Sequence, residues 1–327
     1  MTLSRKIIKK IIAHYQEKKI YWHPRLLYRS THNIDIKKPI FMLGVQGGGL
    51  TVMSRVIRLL PHIVYISGNH RFWAGADELH NSPRFKHLPN QLLLRSPGYY
   101  NLLGHEKNHP DFGYERAFLY ASSEFINEYR MTENDWTPEL DQALKQTIRR
   151  CLCVYASNPN QAQFIDMSQS YSVKIPFLNR CFSDARFIIV SRNPYAVCWK
   201  QAQKSAIFNK DPQRAVQLSA EHWHNSYAYA LNDTKDSGHV LTLRFEDFMQ
   251  DPIAVSEKIF SFLDQSHVDV KNLIAQHKTA PLGSSEPDKW FPINHNVNQN
   301  HFKTMPDWAR EIIGKQCGEL VQRFGYE

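Results

Sequence analysis

Cysteine is scarce: there are five in 327 residues, an odd number, with Cys151 and Cys153 one residue apart. This spacing provides neither a disulfide framework nor a paired zinc-binding pattern, so the thiols are expected to be reduced and mostly in the core. Long apolar runs are lacking as well. The N-terminal stretch Ile7-Ile8-Lys9-Lys10-Ile11-Ile12 is broken by lysines, which is incompatible with a signal-peptide core or a spanning helix; a cytoplasmic protein is expected. Glycine is sparse at 14 residues and charged residues make up 22%, which excludes collagen and disordered classes. Acidic residues are outnumbered, 31 against 40 basic ones. The excess is local: residues 1–40 hold ten Lys or Arg against Glu17 and Asp35, so the other 287 residues are nearly neutral. A nucleic-acid-binding domain would spread its positive charge over the fold, and nucleic acid is not the expected partner.

What is present divides into a basic arm over residues 1–38 and a domain over 39–327. In the arm Ile7, Ile8, Ile11, Ile12 and Tyr15 share one helical face, and Arg5, Lys6, Lys9 and Lys10 crowd the other. This is a basic amphipathic helix, suited either to peripheral contact with an anionic membrane or to packing on the domain with a solvated lysine face. In the domain, apolar strands are expected at Pro39–Leu43, Val64–Ser67, Ala185–Val190 and Val240–Arg244. Helices are expected at Leu50–Leu60, about 138–156 and about 306–324, the last packing through Trp308, Ile312, Leu320 and Phe324. Asn193-Pro194, Asp211-Pro212 and Asp251-Pro252 each supply a cap and a proline at the first helical position. Apolar strands alternating with capped helices predict an α/β fold in three layers, a central, mainly parallel sheet flanked by helices. Residues 68–135 show little periodicity and read as loops and short helices over a site.

Gly44-x-x-x-x-Gly49-x-Thr51 has the spacing of a phosphate-binding loop between strand and helix. The lysine that would reach the terminal phosphates of a nucleoside triphosphate is replaced by Leu50, which disfavours an ATPase, a GTPase or a P-loop kinase of a small molecule. Arg192 follows the strand Phe187–Ser191 at the carboxyl end of the sheet, where open α/β sheets bind ligands and a guanidinium suits phosphate. Lys200 lies about two turns further along the next helix.

The ordered set of motifs resembles the sulfotransferases that use 3′-phosphoadenosine-5′-phosphosulfate (PAPS), over about residues 39–327. Gly44–Thr51 is similar to that family's 5′-phosphosulfate loop. Phe187–Lys200, preceded by Phe182-Ser-Asp-Ala-Arg186, is similar to its 3′-phosphate segment. Leu243–Pro252 through Phe262-Leu263 matches its third segment, and Phe324–Glu327 its C-terminus. The resemblance implies a P-loop-like fold, PAPS as co-substrate without a metal, and in-line transfer of a sulfuryl group to a hydroxyl of a carbohydrate, glycolipid or similar small acceptor. It places Gly47, Gly48, Gly49, Leu50, Thr51, Arg192, Lys200, Phe245 and Lys289 at the nucleotide.

Two departures bear on mechanism. The basic residue of the family's loop falls on Gly47, and the serine eight residues after the arginine falls on Lys200. Charge on the bridging oxygen is then left to backbone amides, Lys200 or Arg55. The general base is sought among His70, Asp77, Glu78 and His80, with His70 preferred and Glu78 next. His222-Trp-His224 places two imidazoles on different helical faces, against a metal pair. The missing loop cation leaves a second reading, a non-catalytic protein of this fold serving as a nucleotide-binding scaffold.

Overall fold

The computed structural model describes residues 19–66, 68, 78–80, 88, 90–92, 119–205, 207–276 and 296–326, with positions 4, 7, 8, 11 and 15 of the arm. Its centre is a parallel sheet of five strands: β1 (Ile40–Leu43), β2 (Ile63–Val64), β3 (Gln163–Asp166), β4 (Arg186–Ser191) and β5 (Val240–Arg244), in the order β2-β3-β1-β4-β5. β1 pairs with both neighbours, Ile40 opposite Ile165 on β3 and Arg186 on β4. Alternate side chains feed two cores. Phe41, Leu43, Phe187 and Ile189 enter one, while Ile40, Met42, Ile188 and Val190 enter the other. Burial on both faces is why these strands read as continuous apolar runs.

Helices α1 (Leu50–Ile57), α2 (Pro138–Tyr155), α3 (Pro194–Lys204), α4 (Pro212–Asp233), α5 (Pro252–Phe262), α6 (Gln299–Thr304) and α7 (Asp307–Arg323) supply the principal outer layers. The expected caps form. Asn193 Oδ1 accepts from Tyr195 N at 3.0 Å, Asp211 Oδ1 from Arg214 N at 3.0 Å and Asp251 Oδ1 from Ala254 N at 2.9 Å. These fix where α3, α4 and α5 begin, and so where the loops before them end.

Three local expectations change. β3 has no counterpart in the sequence reading, because a four-residue strand with polar ends is stabilised by pairing with β1 and not by a pattern of its own. β2 is two residues long. The face of α7 that enters the core is Ala309, Ile313, Cys317 and Leu320, with Trp308 and Ile312 only partly covered. All five cysteines are buried and unpaired.

The arm meets the domain near its end. Ile20 is buried, and Arg25 Nη1 donates to Val154 O at 3.1 Å and Ala156 O at 2.7 Å at the end of α2. Among the described residues no helix is long and apolar enough to cross a membrane.

Candidate functional site

The strand order reverses at β1, which has β3 on one side and β4 on the other. The crevice at the carboxyl ends of β1 and β4 is where such sheets bind ligands, and both glycine loop and Arg192 emerge there. In the loop, Gly48 N donates to Val45 O at 2.9 Å and closes the turn. Gly47 (φ 76°) and Gly49 (φ 96°) lie in the left-handed region that favours glycine. A Cβ on Gly48 would stand 2.8 Å from Val45 O, and one on Gly49 would run into the Phe245 ring. The loop therefore tolerates no side chains at its centre. The amides of Leu50 and Thr51 open α1, where first-turn N–H groups have no intrahelical acceptor. Leu50 offers only that amide, since its side chain is packed in the core with Met53 and Val56.

Arg192 is almost fully buried beside the loop and acts first as a crossbeam. Its Nη1 donates to Gly47 O at 2.8 Å and its Nε to Asn298 Oδ1 at 3.0 Å, and its guanidinium lies 5.1 Å from the centre of the Phe245 ring. Glu246 organises the other side. Its carboxylate accepts from Asn193 N at 2.9 Å, Asn298 Nδ2 at 2.6 Å and the Tyr326 hydroxyl at 3.1 Å. Three segments distant in sequence, the turn before α3, the residues before α6 and the C-terminus, are thus tied to one carboxylate. Burial holds Arg192 below the usual guanidinium value, and Glu246 opposes that shift. From behind, Trp223 Nε1 donates to Arg192 O at 3.0 Å and the Tyr227 hydroxyl to Val190 O at 2.7 Å, so α4 supports both strand end and loop.

Beside this frame lie Lys200, Lys204 and His301. Burial, then Lys204 and then Arg192, push Lys200 down to about 8. Burial and Arg192 lower Lys204, while burial, Lys200, Arg192 and Lys204 lower His301. The Trp199 indole donates to Thr304 Oγ1 at 3.2 Å, fastening α6 to α3 and holding His301 on this side. Among the described residues none of Lys200, Lys204 and His301 forms an ion pair. Burial is the largest cause of each shift, and the mutual lowering shows that these side chains lie close to Arg192 and to one another.

Glu78 is 1% exposed and its Oε2 meets His80 Nε2 at 2.8 Å. His80 Nδ1 accepts from Ser170 N at 3.2 Å, so the neutral ring donates from Nε2 to Glu78. Burial pushes His80 down to about 3. Next to it Asp166 accepts from Leu79 N and Ser168 N, both at 2.8 Å. This polar knot anchors residues 78–80 to the end of β3. Phe245 is buried against Gly49, and Arg55 is buried on α1. His70, Asp77 and Lys289 lie outside the described residues.

Lys204, His301, Asn298, Glu246 and Gln201 were not singled out by sequence. Their only signal was position: Lys204 follows Lys200 by one helical turn, and Glu246 follows the last strand. His222 and His224 separate as expected, His222 facing inward with Nδ1 accepting from Ala121 N at 3.2 Å. Among the described residues no group of three or more His, Cys, Asp or Glu side chains is placed to hold a metal.

The profile described as "Sulfotransferase family" matches residues 39–269. No curated protein sequence matches the chain. Among solved structures it is similar to sulfotransferase STF9 from Mycobacterium avium, with TM-score 0.53 at 16% identity over 94% of this chain and 81% of that one. It is similar also to sulfotransferase STF1 from Mycobacterium tuberculosis H37Rv, with TM-score 0.50 at 13% identity over 90% of this chain and 81% of that one. At these identities the likeness concerns the fold, a parallel α/β sheet covered on both faces.

Proposed function

The chain belongs to the sulfotransferase family, and from this premise we propose that it moves a sulfuryl group from PAPS to a hydroxyl of a carbohydrate, glycolipid or similar small acceptor. One observation carries the reading: Lys200 and Lys204 stand close to Arg192 with no ion pair of their own among the described residues, beside a loop whose three consecutive glycines leave its centre without side chains. That arrangement suits a small, multiply charged phosphate ester. PAPS, when bound, supplies the sulfuryl group and carries away the electron pair of the broken S–O bond.

The chain's own groups divide the remaining work. The amides of Leu50 and Thr51 meet charge at the 5′ end, and Lys200 supplies the positive side chain that Gly47 does not. Arg192 holds loop and nucleotide-facing segments in register and is the candidate for the 3′-phosphate. The acceptor proton goes to a base, for which His70 and Glu78 remain the candidates; Glu78 is preset as an acceptor by the His80 N–H. The scaffold alternative draws on Gly47: an arginine placed there would need left-handed backbone and would meet Gln201 Nε2 at 2.8 Å from Cβ, so the loop cannot simply regain the family's cation.

Calorimetric titration with adenosine 3′,5′-bisphosphate in metal-free buffer should show saturable binding at sub-millimolar ligand. Absence of binding would remove the nucleotide-based reading, and binding without sulfuryl transfer to any alcohol or sugar would favour the scaffold.

For the arm we propose reversible attachment to an anionic membrane surface of the cytoplasm. While Ile20 and Ile34 pack into the domain, other apolar side chains of the arm are exposed, Ile11 by 63%, Trp22 by 82% and Leu27 by 89%. Co-sedimentation with vesicles containing anionic lipid should exceed that with neutral vesicles and fall as salt rises, because the attraction is screened over about 8 Å at physiological ionic strength. Equal sedimentation with both vesicle types contradicts the proposal.

A further inference from the structure

A cavity of about 410 Å³ opens between the glycine loop and helices α3 and α4. Its size is that of a small-molecule site. The walls are largely apolar, from Leu119, Val197, Ile207, Leu218 and Trp223. Val45 and Gln46 of the glycine loop form one side, and Lys204 of the cation group another. It therefore adjoins the place where a sulfuryl group would be presented.

Three of the residues that line it carry a buried polar atom without a hydrogen-bond partner: Gln46 Oε1, Ser205 Oγ and His222 Nε2. The Gln46 and His222 side chains are more than nine-tenths buried and Ser205 is half-buried. The Ser205 hydroxyl can donate or accept, whereas the roles of the other two are fixed and opposite. Gln46 Oε1 only accepts. The His222 ring already accepts the Ala121 N–H at Nδ1, and burial keeps the ring neutral, so its proton sits on Nε2 and that atom donates. A hydroxyl is the common group that both donates and accepts. A sugar would bring hydroxyls on every side of its ring, and those turned to Leu119, Val197, Ile207, Leu218 and Trp223 would lose water without a replacement partner.

We infer that this cavity is the acceptor site of the proposed reaction and selects an apolar alcohol, a molecule with a hydrocarbon body and one hydroxyl oriented by His222 and Gln46, over a free carbohydrate. The inference rests on the sulfotransferase reading and replaces the carbohydrate among its acceptors with an apolar alcohol. His222, with no proton-accepting lone pair to spare, is a positioning group and not the general base.

The test uses the full chain and calorimetry with 1-octanol, octyl methyl ether and glucose, each with and without adenosine 3′,5′-bisphosphate. Octanol should bind at least tenfold more tightly than the ether, which cannot donate to Gln46, and glucose should not bind. His222→Gln keeps an acceptor for the Ala121 N–H but changes the group offered to the ligand, and should weaken octanol about tenfold without changing bisphosphate affinity. Leu218→Trp, which fills the cavity, should do the same to a larger degree. If the bisphosphate binds but octanol binds no better than the ether or glucose, the cavity assignment is overturned while the sulfotransferase reading stands. If the bisphosphate does not bind, that reading fails and the acceptor assignment fails with it, whatever octanol does.

Discussion

Gly49→Ala is expected to abolish measurable binding of adenosine 3′,5′-bisphosphate and to lower the melting temperature by several degrees. Two separate costs meet at this position. A residue with a Cβ held in left-handed backbone is strained by about 1–2 kcal/mol, and Gly49 sits at φ 96°. The new methyl also enters the Phe245 ring, an overpacking cost of about 1–3 kcal/mol. Phe245 cannot retreat freely, since it is buried under the Arg192 guanidinium. The loop is therefore expected to move, taking with it the amides of Leu50 and Thr51 and the carbonyl of Gly47 that Arg192 holds. Titration of the variant and of Gly49→Ala/Phe245→Ala separates the two contributions. The double variant should regain part of the affinity, because the clash disappears and the backbone strain does not. Wild-type affinity in Gly49→Ala would show that the loop is not where the anion sits.

Lys200→Met is expected to weaken bisphosphate binding by about 10- to 100-fold, on the scale of one charge-assisted hydrogen bond of about 1.5–3 kcal/mol. The pH dependence is more diagnostic. With Lys200 at about 8 in the free protein, depressed by burial and by Lys204 and Arg192, the ammonium is charged at pH 7 and largely neutral at pH 9. Affinity should therefore fall across this interval in the wild type. Because the bound anion favours the ammonium, binding above pH 8 should be accompanied by proton uptake. Lys200→Met should flatten the profile between pH 7 and 9. Linkage makes a second statement about the free protein. The folded value lies below the ordinary 10.5, so between about pH 8 and 10.5 the unfolded chain binds a proton that the folded chain has shed, and this group makes stability rise with pH. Denaturant titrations across that range should show the rise in the wild type and lose its Lys200 part in the variant. An unchanged affinity profile in Lys200→Met would place the anion away from α3.

The parts of the molecule that sequence made readable share a cause. The glycine loop, the capped turns at Asn193, Asp211 and Asp251, and strand β4 are specified by residues within a few positions of one another, and each performs its local role in the fold. β3 was unreadable because Gln163–Asp166 has little character of its own and exists as a strand through pairing with β1. The inward face of α7 passes through Ala309, Ile313 and Cys317 and leaves Trp308 and Ile312 partly covered, because close approach to α4 and α3 favours the smaller Ala309 and Cys317 at the contact.

The site divides in the same way. Arg192 could be located at a strand end from its neighbours alone, but its hold on Gly47 O and Asn298 links positions more than 100 residues apart. His222 looked like half of a rejected metal pair when compared with His224. It gains a defined tautomer only because Ala121, again about 100 residues away, donates to it.

Order of motifs, family and fold class were thus settled along the chain, since backbone conformation and strand character depend on adjacent side chains. Which basic side chains stand together, which loop carbonyl Arg192 holds, and which buried atoms lack a partner within the chain were decided in space. Burial and unlike neighbours arise when remote segments pack, and they control both the charge of Lys200 and the donor atom of His222.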